Sequence, residues 1–317
     1  MKKKIEIYIV KPSTRKKYKK FCKMIYSKYH KLFINDKHNN ESINIRILME
    51  ILINNLKKHK NLAYARNVKY TTMDFINGIF DVLDNGTYWR RYKGTVPGKY
   101  LNAKHNEYCN MGVYDCMYYI ILQIYFNDSK YEKLKHQSID STFIRNLYGI
   151  EMIQRNPHHK NKNGIKVSSI NDTNGVPISY AIGKGATNDS KIAKIQINHS
   201  FVELNTNKVK NNNRYKQNMY ADAQYDSQEL IKILRQKGYK PRTDVNIRNT
   251  KNKYKLKQLE LRKREYNKAR NKRAIIEISY SWIHKYPKLN RFVEKSIKSY
   301  VGLLLLASSK IVIKKIN

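Results

Sequence analysis

Around Leu134 the apolar pattern of this chain changes its period, and the change narrows the folds open to it. Upstream, apolar residues recur at helical spacing: Ile47, Leu48, Ile51, Leu52 and Leu56, then Phe75, Ile76, Ile79, Phe80 and Leu83. Downstream they alternate every second residue in short runs, with helical stretches between them. Periods of 3.6 and 2 are the marks of amphipathic helices and half-buried strands. A run of helices followed by interleaved strands and helices reads as a small all-α domain, residues 1–127, ahead of an α/β domain, residues 128–317.

In the first part, residues 1–20 carry nine Lys or Arg and one Glu and read as a basic arm. Thr71 or Thr72 offers a cap for the helix that Asp84-Asn85-Gly86-Thr87 ends. A further helix is expected from about Asn106 to Phe126. In the second part the expected strands are the one from Leu134 to Asn146, then Ile165–Asp172, Val176–Gly183, Asn218–Asp222 and Pro241–Ile247. Asn174-Gly175 signals a hairpin, because both residues tolerate positive φ. Asn188-Asp189-Ser190 reads as one helix start. Asp226 and Glu229 read as the capping box of another. Asn205–Gln217 reads as a polar surface loop. Residues 248–273, with twelve Lys or Arg against two Glu, form a basic segment before a helix that Pro287 ends. That helix is expected to bury one apolar face of Ile275, Ile278 and Trp282 with Ile276 and Ile283 adjacent, and Ser296–Ile313 is expected to be a last apolar helix covering the sheet.

Charge bears on partners. The 317 residues hold 64 Lys and Arg against 24 Asp and Glu, a formal charge of +40. Such a charge opposes compaction unless a polyanion relieves it, so nucleic acid is the leading partner. Three cysteines without a CxxC pair disfavour a zinc site or a disulfide framework and read as small core residues. The longest apolar runs fall far short of the ~20 residues of a membrane span. With Met1-Lys2-Lys3-Lys4 at the start and no signal-peptide pattern, the expectation is an intracellular, soluble, DNA-associated protein, cytoplasmic or nuclear according to the host.

In the strand Ser138-Ile139-Asp140-Ser141-Thr142 a carboxylate sits in mid-strand, where only a counter-charge makes it tolerable. Asp222 ends a second strand 82 residues on, and Glu277 lies in a helix 55 residues further. Two Asp on adjacent strands and a Glu on a helix can converge at one edge of a mixed sheet with flanking helices, the order of a ribonuclease H-like core. Carboxylates suit Mg²⁺ or Mn²⁺. Two such ions would serve an attack at a phosphodiester, with Asp140 bridging them and Asp222 and Glu277 each holding one.

Several segments then occur in an order that resembles the DDE transposases of the insertion-sequence four/five superfamily. They are Ile139-Asp140-Ser141-Thr142, Gly175-Val176-Pro177-Ile178, Asn188-Asp189-Ser190, Ala221 to Ser227, Arg273-x-x-x-Glu277, Trp282 to Leu289 and Gly302-Leu303-Leu304. Gly86-Thr87-Tyr88-Trp89-Arg90 resembles the family's N-terminal part. The resemblance implies a ribonuclease H-like catalytic domain, Mg²⁺-dependent strand cleavage and transfer, terminal-inverted-repeat DNA as substrate, and Asp140, Asp222 and Glu277 as the triad. A homodimer is expected to bind the element's double-stranded ends and the target. The expected DNA contacts are Trp89, Arg90, Lys166, Arg273, Lys251, Lys253, Lys255 and Lys257. The chain departs from the family where Ile278 follows the Glu in place of Arg, and where His158-His159 and Gly164-x-Lys166 replace a Gly-Lys-rich loop. Three readings stay open beside an active transposase: a catalytically silent or co-opted DNA-binding descendant, another ribonuclease H-like nuclease, and a basic globular protein whose acids are caps and ion pairs.

Overall fold

A computed structural model describes residues 7–10, 16–29, 41–59, 69–126, 130–199, 217–245, 253–268 and 270–316. Most of the expected basic arm, the polar run read at Asn205–Gln217 up to residue 216, and Lys251 lie outside the described residues. In chain order the elements begin with β1 (Ile7–Val10), α1 (Lys16–Tyr29), α2 (Glu41–His59), α3 (Thr72–Asn85), α4 (Gly98–Met111), α5 (Val113–Phe126) and α6 (Lys130–Leu134). There follow β2 (His136–Asn146), β3 (Gln154–Asn156), β4 (Lys162–Asn171), β5 (Pro177–Lys184), α7 (Asp189–Gln196), β6 (Gln217–Ala221), α8 (Gln228–Gln236) and β7 (Tyr239–Thr243). The chain continues through α9 (Lys253–Asn267), α10 (Arg270–His284), β8 (Arg291–Phe292) and α11 (Ile297–Ile313).

Two compact units divide the chain. The first comprises residues 1–11, 128–145 and 152–281. Its sheet runs in the order β1-β5-β4-β2-β6-β7, with β3 paired to β4. The pairs β1/β5, β5/β4 and β4/β2 are antiparallel, whereas β2/β6 and β6/β7 are parallel. This is a ribonuclease H-like α/β arrangement. The β4/β5 hairpin turns at the expected Asn174-Gly175, where Gly175 has φ 81° and Asp172 accepts from the amides of Asn174 and Val176. Strand β1 arises inside the segment read as a basic arm, because Ile7 and Ile9 supply a strand pattern that pairs with β5.

The second unit comprises residues 12–127, 146–151 and 282–317 and is mostly helical. Thr71 caps α3 through a full capping box with Asp74, and Gly86 closes the helix at φ 67°. The helix expected over residues 106–126 is two helices. Gly112, at φ 80°, ends α4 by giving its amide to Tyr108 and Cys109, and α5 starts afresh. Helix α11, expected to cover the sheet, belongs to the helical unit and packs there against α5, α4 and α2. Leu303 to Leu306 are fully buried there, each contributing roughly 1.5–3 kcal/mol of transfer free energy. The expected boundary at residue 127 thus separates sheet from helices only in part, since β1 joins the sheet and residues 282–317 join the helices.

A buried polar network runs through this helical unit. Lys288 Nζ lies 3.1 Å from Glu294, and Trp89 Nε1 donates to the same carboxylate at 3.0 Å. Burial pushes the Glu294 carboxyl up, but Lys288, His105, Ser299 and Trp89 outweigh it and hold the group below the usual range. The cysteines at 22, 109 and 116 are buried and form no disulfide, as small core residues are expected to be.

Candidate active site

Register brings the first two acids together. In the parallel β2/β6 pair Ser138 lies opposite Tyr220. Two residues further along each chain stand Asp140 and Asp222, the latter one residue past the end of β6. Asp140 Oδ1 accepts from the Ser141 amide at 2.8 Å and Oδ2 from Arg273 at 3.2 Å. Asp222 turns the chain out of the sheet, its Oδ1 accepting from the Gln224 amide at 2.8 Å.

Helix α10 carries Glu277, the third acid expected from the sequence, which is not among the residues lining the cleft over Asp140 and Asp222. Of the expected apolar face Ile276 and Ile283 are buried, Ile275 and Trp282 are half-buried and Ile278 is 48% exposed; Ser279 and Tyr280 are buried as well. Tyr280 takes that face where partners await its hydroxyl. The Tyr280 hydroxyl donates to the carbonyl of Asp140 at 2.8 Å and lies 3.1 Å from that of Val167. Arg273, two turns earlier, reaches Asp140. Its other arm lies 3.1 Å from Glu277, whose side chain is 64% exposed. Arg273 therefore spans the first and third acids.

The electrostatics follow from burial. Desolvation pushes the Asp140 carboxyl up to about 6; the Asp222 and Asp189 charges add to this, while the Ser141 amide and Arg273 oppose it. Burial raises Asp222 as well, against the pull of the Gln224 amide and Arg273. Burial works against the Arg273 cation, but Asp140, Tyr266, Asp222 and Glu277 outweigh it and hold the guanidinium charged.

Asp189, expected as a helix cap, belongs to this site instead. The cap of α7 is Asn188, which accepts from the Ser190 amide. Asp189 is buried and bound by Lys166 Nζ at 2.9 and 3.0 Å, and the Ser141 hydroxyl donates to it. The sequence signal was ambiguous because Asn188 and Asp189 are both good caps in adjacent positions. Asp226 is likewise no cap: it accepts from Arg262 at 2.8 Å, and Ser227 caps α8 through the Leu230 amide. Glu229 pairs with Lys194.

A cleft of about 460 Å³ opens over Asp140 and Asp222, with Asp189, Lys166, Phe143 and His159 in its walls. Among the described residues no three His, Cys, Asp or Glu side chains converge as ligands. Asp140 and Asp222 nonetheless suit a hard divalent cation: both are oxygen donors, both are half-buried, and desolvation raises both carboxyls. Of the expected DNA contacts, Arg90 and Lys257 are exposed, while Lys166 is committed to Asp189. Trp89 is buried with its indole on Glu294, which makes it a core residue. Lys253 and Lys255 lie on α9 with side chains outside the described residues.

Residues 132–309 match the family described as the transposase DDE domain. The chain belongs to this family, as a DDE transposase of insertion-sequence type. Its partner is therefore DNA, and the family generally uses divalent metal ions. No curated protein and no solved structure matches the chain. Among the described residues no helix is long and apolar enough to cross a membrane.

Proposed function

We propose that the chain cleaves DNA at the terminal inverted repeats of its own mobile element and joins the freed ends to target DNA. In this reading Asp140, Asp222 and Glu277 hold two Mg²⁺ (or Mn²⁺) ions, and a homodimer brings the two ends together. The observation that carries the proposal is the β2/β6 register, which sets Asp140 beside Asp222 in a cleft where burial raises both carboxyls. When bound, such ions activate an attacking oxygen and neutralise charge at the scissile phosphate. The chain's own residues hold that arrangement. Tyr280 ties α10 to the strand that carries Asp140. Arg273 pairs with both Asp140 and Glu277 and supplies positive charge between them. Lys166 pairs with Asp189 and offsets part of the negative charge that Asp189 adds to the cleft.

The test is cleavage of a labelled duplex carrying the element's own ends. Asp140→Ala, Asp222→Ala and Glu277→Ala should each lose strand cleavage and transfer by orders of magnitude, since small misplacements of reacting groups are costly. Duplex affinity should persist, because it comes from Lys and Arg elsewhere. Asn188→Ala and Ser227→Ala are the controls; as caps they should cost about 0.5–2 kcal/mol of stability and spare the chemistry. Wild-type cleavage by Glu277→Ala would remove that residue from the ligand set.

A further inference from the structure

His158-His159, one of the departures from the family pattern, lies beside the acids in a built arrangement. The His159 ring stacks on Phe143, with centroids 4.3 Å apart and planes 12° from parallel. Phe143 in turn lies against the backbone of Gly164 and Gly185. A Cβ added at Gly164 would stand 2.4 Å from the Phe143 ring, and one at Gly185 3.1 Å from it. The two glycines thus make room for the phenyl ring, and the phenyl ring supports the imidazole.

The turn that carries His159 is held as well. Asn156 is 2% exposed; its amide donates to the Gly185 carbonyl at 2.7 Å, and its oxygen accepts from the His158 amide at 2.9 Å. Pro157 begins the turn, and Lys160 and Asn161, at φ 55° and 53°, return the chain into β4. With one ring face on Phe143, exposed His159 turns its other face outward, and both rings line the cleft that holds Asp140 and Asp222.

We infer that His159, backed by Phe143, is a stacking platform for an unpaired nucleobase of the DNA strand that enters the cleft. The inference rests on the reading that this cleft receives DNA. A supported aromatic face takes any base, because every base has a π-face. The two half-buried acids make the cleft floor a poor place for a phosphate without cations, so a neutral base is the group that the wall can hold unaided. Stacking there would fix the neighbouring phosphate over the acids.

The test uses the full chain without divalent metal and two probes of equal length: a dodecathymidylate and the same backbone with every base removed. His159→Ala should weaken binding of the dodecathymidylate by roughly 5- to 150-fold, the range of one base–aromatic stack. It should leave binding of the abasic strand unchanged. His159→Phe should bind the dodecathymidylate like wild type, since it keeps an aromatic face and loses only the ring nitrogens. Equal weakening on both probes, or no rescue by His159→Phe, would make His159 a phosphate contact and overturn the inference. Unchanged binding by His159→Ala would overturn it too. Because this reads binding without metal, its failure would leave the cleavage test of the three acids untouched.

Discussion

A single guanidinium touches both Asp140 and Glu277, and the pair it spans illustrates how burial rather than residue type sets the behaviour of an acid. Asp140 is raised to about 6 where its neighbours under-compensate it. Asp115, far along the chain in the first turn of α5, reaches the same value for the same first reason, burial, with its own amide and Lys298 pulling back. The sign of the consequence is opposite to the usual case of a paired carboxylate. Below about pH 4 Asp115 is protonated in both folded and unfolded chains and costs nothing. Between about pH 4 and 6 the unfolded chain ionises first, so stability falls as pH rises through that window. Asp115→Asn should therefore be about 1–3 kcal/mol more stable than wild type at about pH 7 and equal to it near pH 4. Urea unfolding at the two pH values checks this; an equal difference at both would show that ionisation of Asp115 is not the cause.

At the scale of elements, Gly112 separates two helices that read in the sequence as one. The apolar run continues across it, from Tyr108 and Met111 to Tyr114 and Met117, so periodicity alone does not reveal the break. What decides it is a left-handed residue whose amide turns back to Tyr108 and Cys109. Gly112→Ala should cost about 1–2 kcal/mol, the penalty of an L-residue in that conformation. Thermal unfolding measures it, and a neutral substitution would mean that α4 and α5 can fuse. Helix α10 shows the converse. Its buried face carries Tyr280 and one of its site residues is a charged arginine, and the carbonyl and carboxylate that they meet lie far away in the sequence.

Across the whole molecule the charge of +40 is the dominant long-range property, and its effect on DNA affinity should depend on salt. Neutralising Lys251, Lys253, Lys255 and Lys257 together should reduce the slope of log affinity against log salt by up to about 0.9 for each phosphate that the protein then leaves unpaired. Filter binding on duplex DNA across a salt series reads this directly; an unchanged slope would assign the run to a solvated helix face. The periodicity switch near Leu134, the strand around Asp140, the hairpin at Asn174-Gly175 and the capped start of α3 were all legible in the sequence, because each is encoded within a few neighbouring residues. So were Asp140 and Asp222 as a pair, since both stand on strand patterns whose order in a mixed sheet makes them neighbours. The roles of Asp189, Lys166, Ser141 and Trp89 were not, nor was the side of the fold that α11 covers. Those depend on which side chains meet across long separations, such as Trp89 with Glu294 or Ser141 with Asp189. Local pattern determined which elements form; burial and partner-finding, which exist only once the chain is packed, decided which polar residues became core and which became site.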